Sequence, residues 1–396
     1  MSQKIIGDLL TRGVEGIHVR EHLESALKAG RPLRVKHGID PTGAKLHLGH
    51  AATLWKLREF QNLGHQVVII IGDYTAQIGD PSDKLSKRPF LSEAQVAENM
   101  KSYQEQLGKI LDLGKVEFRY NSEWLTRLSM RQLDELADIF TVQQMTERRN
   151  FHERIQKGEE ISLRELHYPL YQGYDSVVVK ADVEIGGTDQ LFNLLAGRKI
   201  QEAYGQAPQD VMATSMLIGL DGDKMSKTAG NTVNIADTAQ DMYGKIMSLR
   251  DELISDYFWL VGRVSQDKVE HVKKVLAEGA NPRDIKMELA RKVVALYHGN
   301  ESAQSAEEYF VKTFQEKEIP TEMPLFKLGV ESLELVEILV QTKIASSKSE
   351  ARRLITQGGI TIDGEEKKDP TEVISLPAQG AVLQKGKRVF LRVLPF

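Results

Sequence analysis

Five consecutive β-branched residues at positions 67–71, VVIII, suit a strand buried on both faces. They lie in a stretch, from about residue 30 to 235, where apolar runs alternate with helical patterns. Residues 34–39, 177–185 and 212–217 are further strand candidates, and residues 46–63 read as a helix. Alternation of this kind predicts a parallel sheet covered by helices, hence an α/β, Rossmann-like domain over residues 1–236.

A helical insertion is expected at about residues 120–165, where Leu133, Leu136, Ala137 and Phe140 share one helix face. Residues 237–315 read as an α-helical domain. There Ile246, Leu249, Leu253, Tyr257 and Leu260 keep a helical stripe, with Asp237 or Thr238 as its cap. Residues 316–330 carry Pro320 and Pro324 among charges and read as a linker. Residues 331–396 then form a small α+β unit. Helices are expected at 332–340 and 349–357, a stop at Gly358-Gly359, strands at 360–363 and 387–393, and a turn at Asp363-Gly364.

A length of 396 residues suggests two or three domains, and 41% hydrophobic with 27% charged residues is ordinary globular composition. No run of about 18 apolar residues could span a bilayer, and the opening MSQKIIGDLLTRGVEG has no signal-peptide core. With 0 cysteines, disulfides, cysteine-ligated zinc and thiol nucleophiles are excluded, and a cytoplasmic location is expected. The net charge of −4 is unevenly spread: residues 343–396 hold 10 Lys+Arg against 6 Asp+Glu, a local +4, which leaves −8 on the rest.

Four segments carry chemistry. GIDPTGAKLHLGH (38–50) places Asp40, Thr42 and a strand-to-helix turn at the carboxyl end of a strand, where open α/β sheets bind ligands. His47 and His50 lie on one face beside the helix N-terminus, which favours anions, and Gly49 lets a flat ligand approach backbone. A metal-binding pair or a plain exposed face are the alternatives for this HxxH spacing. GxGxxG is absent, against a nicotinamide or flavin enzyme. IGDYTAQIGDPSDKLSKR (71–88) offers Asp80 to a ligand cation, with Lys84 and Arg88 within reach of phosphates. In HYPLYQGYDSVVVKADVEIGGTDQ (167–190), Tyr168, Gln172 and Asp175 align on one helix face that suits a small zwitterion bearing a hydroxyl. Gly186-Gly187 permits close backbone approach, and Asp189 follows a strand, where carboxylates commonly bind ribose. GDKMSKTAGN (222–231) sets Lys224, Lys227 and Thr228 in a Gly-bounded loop that could close on a polyphosphate.

Jointly and in this order, these segments resemble class I aminoacyl-tRNA synthetases: HLGH (47–50) their HIGH signature and KMSKT (224–228) their KMSKS signature. GIDPTG, IGDPS, YPLYQGYDS and GGTDQ are similar to the tyrosyl-tRNA synthetase family, and the C-terminal unit resembles the S4-type RNA-binding domain of its bacterial members. The resemblance implies a tyrosine–tRNA ligase that takes L-tyrosine, ATP as its magnesium complex and tRNA(Tyr). The sequence shows no dedicated magnesium cage, so no protein-bound metal is expected. The resemblance implies a homodimer formed through the insertion. It implies that Asp80, Tyr168 and Gln172 bind the α-amino group, Asp175 the phenol hydroxyl and Gln190 the carboxylate. Asp40, Gly49, Gly187 and Asp189 would form the ATP site. Thr42, His47 and His50 would bind the reacting phosphates, and Lys84, Arg88, Lys224, Lys227 and Thr228 the pyrophosphate. The basic C-terminal residues Lys348, Arg352, Arg353, Lys385, Lys387, Arg388 and Arg392 would meet tRNA. One position departs: Lys36 stands where many family members carry a tyrosine that shares the phenol hydroxyl with the aspartate.

The expected reaction has two steps, attack of the tyrosine carboxylate on the α-phosphorus of ATP and acyl transfer to the terminal adenosine of tRNA. Neither needs a side-chain nucleophile. Three other readings compete. A tryptophanyl-tRNA synthetase would lack the S4-like tail and YxxxQxxD. A non-catalytic RNA-binding paralogue would not need intact signature motifs. A nucleotidylyltransferase would not need about 150 residues of RNA-binding material.

Overall fold

The computed structural model describes residues 3–82, 91–225, 230–315, 323–386 and 389–396. The strands β1 (Val14–His18), β2 (Arg34–Ile39), β3 (Gln66–Ile71), β4 (Val116–Tyr120), β5 (Val183–Gly187) and β6 (Asp210–Thr214) form one sheet in the order β1-β6-β5-β2-β3-β4. From β6 through β4 all neighbours are parallel. β1 closes the edge antiparallel to β6. Within β3 every residue after Gln66 is buried, as its unbroken apolar run requires. The half-exposed edge strand β1 carries no such signal, and its partner lies far away in sequence.

From β2 the chain winds through β3 to β4 on one side, then returns to lay β5 and β6 on the other. The winding reverses between β2 and β5, so their carboxyl ends, at Ile39 and Gly187, border a crevice. Three helices frame it: α1 (Leu48–Asn62), α2 (Leu163–Val179) and α3 (Leu191–Ala203). At the start of α2, the Ser162 backbone N–H donates to Glu165, whose carboxylate also pairs with buried Arg154 at 2.7 Å. The segment between β4 and α2 is helical, with Ser122–Leu125, Met130–Asp138, Val142–Thr146 and Arg149–Gln156.

Several local expectations change. Residues 177–179 finish α2 and are not a strand; helix ends and buried strands both tolerate short apolar runs, and Lys180 in the left-handed region stops the helix. Of the expected 177–185 segment only residues 183–185 pair in the sheet, and Gly186-Gly187 lengthen that strand. The strand expected at 212–217 is shifted to Asp210–Thr214. The stripe at 246–260 is broken into Ala239–Met247 and Ile254–Leu260; Ile246, Leu249 and Tyr257 are nonetheless buried. Thr238, and not Asp237, caps the first piece: its hydroxyl accepts from the Asp241 N–H at 3.1 Å.

By contacts, the chain divides into two compact units. Met1–Asp237 with Ser248–Tyr297 form one, and Thr238–Met247 with His298–Phe396 the other. In the second, β7 (Leu325–Lys327), β9 (Ile360–Ile362), β10 (Glu365–Glu366), β12 (Ala381–Lys385) and β13 (Val389–Leu394) make a sheet ordered β10-β9-β12-β13-β7. The helix expected from 332 begins later, at α4 (Leu335–Gln341). Residues Ser332–Glu334 form β8, paired with β11 (Val373–Ser375), a partner that no local pattern reveals. With α5 (Lys348–Thr356), these elements enclose their own core of Leu335, Ile338, Leu339, Ile355, Ile360 and Leu383.

Candidate active site

At the crevice between β2 and β5 lies a cavity of ≈ 610 Å³. Every described residue of the catalytic, tyrosine and ATP sets lines it. Asp40, Thr42, His47, Gly49 and His50 come from the end of β2 and the start of α1; Asp80 follows β3; Tyr168, Gln172 and Asp175 come from α2. Gly187 ends β5, Asp189 and Gln190 follow it, and Lys224 enters from a later loop. Lys84, Arg88, Lys227 and Thr228 lie outside the described residues.

The two histidines cap α1 reciprocally. The ring Nδ1 of His47 accepts from the Gly49 N–H, and the Nδ1 of His50 accepts from the His47 N–H, both at 3.2 Å. A neutral imidazole that accepts at Nδ1 carries its proton on Nε2, so both rings are set as Nε2–H donors. Their centroids lie 3.9 Å apart. A Cβ at Gly49 would meet the His47 ring at 2.9 Å, so a side chain there would displace the cap. Among the described residues no cluster of three or more metal-ligating side chains occurs.

A chain of hydrogen bonds crosses the cavity floor. Asp175, 3% exposed, accepts from Trp124 Nε1 at 2.8 Å and from Asn121 Nδ2 at 3.4 Å. Asn121 Nδ2 also donates to Thr75 Oγ1 at 2.9 Å, and the Thr75 hydroxyl donates to Asp40 at 2.7 Å. Asp40 in turn accepts from the Tyr168 hydroxyl at 2.9 Å. A Cβ at Gly72 would fall 2.0 Å from Asp40 Oδ1 and 2.3 Å from Thr75 Oγ1, so this linkage requires glycine there. Burial pushes the Asp175 carboxyl up to about 7; the Lys36 charge and the donors Trp124 and Asn121 oppose that rise. Burial, followed by the charges of Asp40 and Asp80, pushes the Tyr168 phenol well above its usual range. Thr75, Asn121 and Trp124 were not legible as site residues. The only available signal was that Asn121 and Trp124 directly follow β4, at the same carboxyl edge of the sheet.

Asp80 is held from three directions: Gln190 Nε2 donates to it at 2.6 Å, the Ser82 N–H at 2.9 Å and Asn193 Nδ2 at 3.5 Å. Behind it, buried Arg148 from the insertion donates to Ser82 Oγ at 2.7 Å and stacks on Phe192, 4.6 Å from the ring centre. Asp189 and Lys224 face each other across 3.8 Å. Lys36 lies behind the cavity wall with its side chain 0% exposed, paired with Glu184.

In the C-terminal unit, Arg352 and Arg353 are exposed on α5, and Arg392 lies half-buried on β13. The Lys348 ammonium pairs with Glu337, and that of Lys385 donates to the Ile344 carbonyl at 2.7 Å. Lys387 and Arg388 lie outside the described residues.

A nucleotide-sized cleft at the sheet's switch point, walled by a histidine-capped helix and a lysine loop, is the arrangement of a class I aminoacyl-tRNA synthetase. The family described as tRNA synthetases class I (W and Y) matches residues 28–315, and the tyrosine–tRNA ligase SYY-like C-terminal domain matches 315–393. The tyrosine–tRNA ligase of Thermotoga maritima is 49% identical over 387 residues, 97% of this chain and 96% of that one. That of Moorella thermoacetica is 47% identical over 394 residues, 98% of this chain and 95% of that one. The crystal structure of the tyrosyl-tRNA synthetase of Archaeoglobus fulgidus complexed with L-tyrosine shares the fold: TM-score 0.63 at 23% identity, covering 78% of this chain and 100% of that one. The chain belongs to the tyrosine–tRNA ligases: it activates tyrosine with ATP and transfers the tyrosyl group to tRNA(Tyr).

Proposed function

We propose that the cavity between β2 and β5 holds tyrosine with its hydroxyl at Asp175, and ATP with its phosphates at His47 and His50. What carries this reading is the convergence on one cavity of every described residue that the motifs single out. Asp80, Tyr168 and Gln172 receive the α-ammonium group, and Gln190, already bonded to Asp80, turns to the carboxylate as it reacts. The phenol hydroxyl donates to Asp175 and accepts from Asn121, whose amide is oriented by the Tyr74 N–H at its Oδ1, 3.0 Å away. Asp40, Gly49, Gly187 and Asp189 receive the nucleoside.

In the first step the tyrosine carboxylate attacks the α-phosphorus and pyrophosphate leaves. Thr42 and the Nε2–H groups of His47 and His50 stabilise charge on the phosphate oxygens, and they act because that charge grows in the transition state. Lys84, Arg88, Lys224, Lys227 and Thr228 receive the pyrophosphate. ATP arrives as its magnesium complex, a substrate and not a resident metal. In the second step a hydroxyl of the terminal tRNA adenosine takes the tyrosyl group.

Residues 1–236 are the catalytic domain and 237–315 an anticodon-side helical domain; the linker expected at 316–330 is shorter than that, because Leu325–Lys327 pairs with β13 as β7, and the S4-like RNA-binding domain comprises β7 with 331–396. In the last, Lys348, Arg352, Arg353, Lys385, Lys387, Arg388 and Arg392 meet tRNA phosphates. Two subunits pair through the insertion, where Met130 is 86%, Val142 67% and Leu163 75% exposed. No described helix is long and apolar enough to cross a membrane, and the reading places the enzyme in the cytoplasm.

The test is tyrosine-dependent ATP–pyrophosphate exchange with two variants. Asp80→Ala raises the tyrosine KM and leaves the ATP KM nearly unchanged. His47→Ala lowers kcat by about 100- to 1000-fold with smaller effects on both KM values. A His47→Ala enzyme with normal kcat and weakened ATP binding would move the reacting phosphates elsewhere.

A further inference from the structure

Lys36 and Glu184 are register partners on the neighbouring central strands β2 and β5, and their side chains are 0% and 1% exposed. The Lys36 ammonium donates to Glu184 at 2.9 Å, to the Gln172 backbone carbonyl at 2.8 Å and to Ser176 Oγ at 2.7 Å. An ammonium has three N–H bonds, and each has an acceptor. The Glu184 carboxylate is as fully used: Gln172 Nε2 donates to it at 3.2 Å, Ser176 Oγ at 3.2 Å, and Gln209 Nε2 also donates. The pair thus grips Gln172 twice, by its carbonyl and by its amide, and grips Ser176 one turn further along α2. Asp175 lies between these two anchors.

Burying two charges costs several kcal/mol per ion, and an apolar pair could pack this space at no loss of stability. A role beyond packing accounts for the charges. Facing Asp175 are Lys36 from β2, Glu184 from β5, the neutral donors Asn121 and Trp124 after β4, and Tyr168 from α2 itself. Of these only Lys36 carries positive charge, and its attraction offsets the repulsion of Glu184.

We infer that Lys36 is a positioning residue for tyrosine: with Glu184 it fixes the Gln172 amide at the cavity wall, and its charge keeps Asp175 an anionic acceptor for the phenol hydroxyl. Its buried side chain does not line the cavity, so it acts through its neighbours. The inference rests on the placement of the phenol at Asp175.

The experiment is the pH profile of kcat/KM for tyrosine in pyrophosphate exchange, on the full chain, with ATP saturating. Binding needs Asp175 ionised, so the wild-type profile falls on the acid side. K36M leaves Glu184 uncompensated and moves that acid limb up by about 1–3 pH units. E184Q leaves Lys36 uncompensated and moves it down. The double variant K36M/E184Q returns it close to wild type, and K36R, which keeps the charge, leaves it in place. A packing role alone would lower activity equally at every pH. Shifts of the same sign in K36M and E184Q, or no shift in either, overturn the inference. Where K36M does not fold, E184Q and K36R decide between the same outcomes. D175N separates the two layers: loss of the acid limb supports the phenol placement, and a limb that persists in D175N refutes that placement.

Discussion

Replacing Asp175 by asparagine is expected to make the protein more stable at pH 8 while impairing its choice of substrate. The carboxyl is buried and titrates at about 7, against an ordinary value of 3.8. At 1.36 kcal/mol per pH unit, holding it ionised costs the native state about 4 kcal/mol relative to the unfolded chain. Because the folded pKa is raised, the proton stabilises the native form. That contribution is complete below pH ~4 and is lost as the pH rises through about 7. Asparagine carries no such loss. Its amide has one acceptor oxygen in place of two, so either Trp124 Nε1 or Asn121 Nδ2 loses a partner, at about 1 kcal/mol. The net gain is about 2–3 kcal/mol at pH 8 and a slight loss at pH 4. In thermal unfolding followed by circular dichroism without tyrosine, Tm rises by about 4–8 °C at pH 8, and the difference vanishes or reverses near pH 4. In pyrophosphate exchange the same variant raises the tyrosine KM and narrows the tyrosine/phenylalanine ratio by about 10- to 100-fold, the worth of a hydrogen bond to a charged group. A variant less stable than wild type at pH 8, or a difference independent of pH, would refute the account of Asp175 as a strained buried carboxylate.

Gly72→Ala drives a methyl group into Asp40 and Thr75, breaks the link to Tyr168 and lowers exchange activity by at least about 10-fold; wild-type kinetics in this variant would show that the linkage is dispensable. Removing everything after residue 315 keeps α4, α5 and their sheet out of the protein as one piece, because their core is self-contained. Exchange is expected near wild type, with aminoacylation of tRNA strongly reduced and the remaining tRNA affinity less steeply dependent on salt; unimpaired charging would give the tail another task. Charges placed on the exposed apolar positions, as Met130→Glu with Leu163→Glu, are expected to yield monomers in sedimentation; a persistent dimer would place the subunit interface elsewhere.

What the sequence determined by itself follows from short-range rules. The VVIII run had to be a buried strand, the Tyr168, Gln172 and Asp175 spacing had to share a helix face, and the turn after β2 had to open at the sheet's carboxyl edge. These depend on periodicity and turn chemistry within a few residues. The motif residues therefore named much of the polar part of the cavity wall. Tertiary structure decided what depends on partners distant in sequence. β1 pairs with β6 and β8 with β11, and neither pairing leaves a local trace. The run at 177–179 became the end of α2 because packing, and not propensity, chooses between helix and strand for short apolar segments. Above all, the sequence marks Lys36 only as a departure from the family pattern. Only the register of β2 against β5 brings Glu184 beside it, and with it a charge balance around Asp175 that no linear spacing encodes.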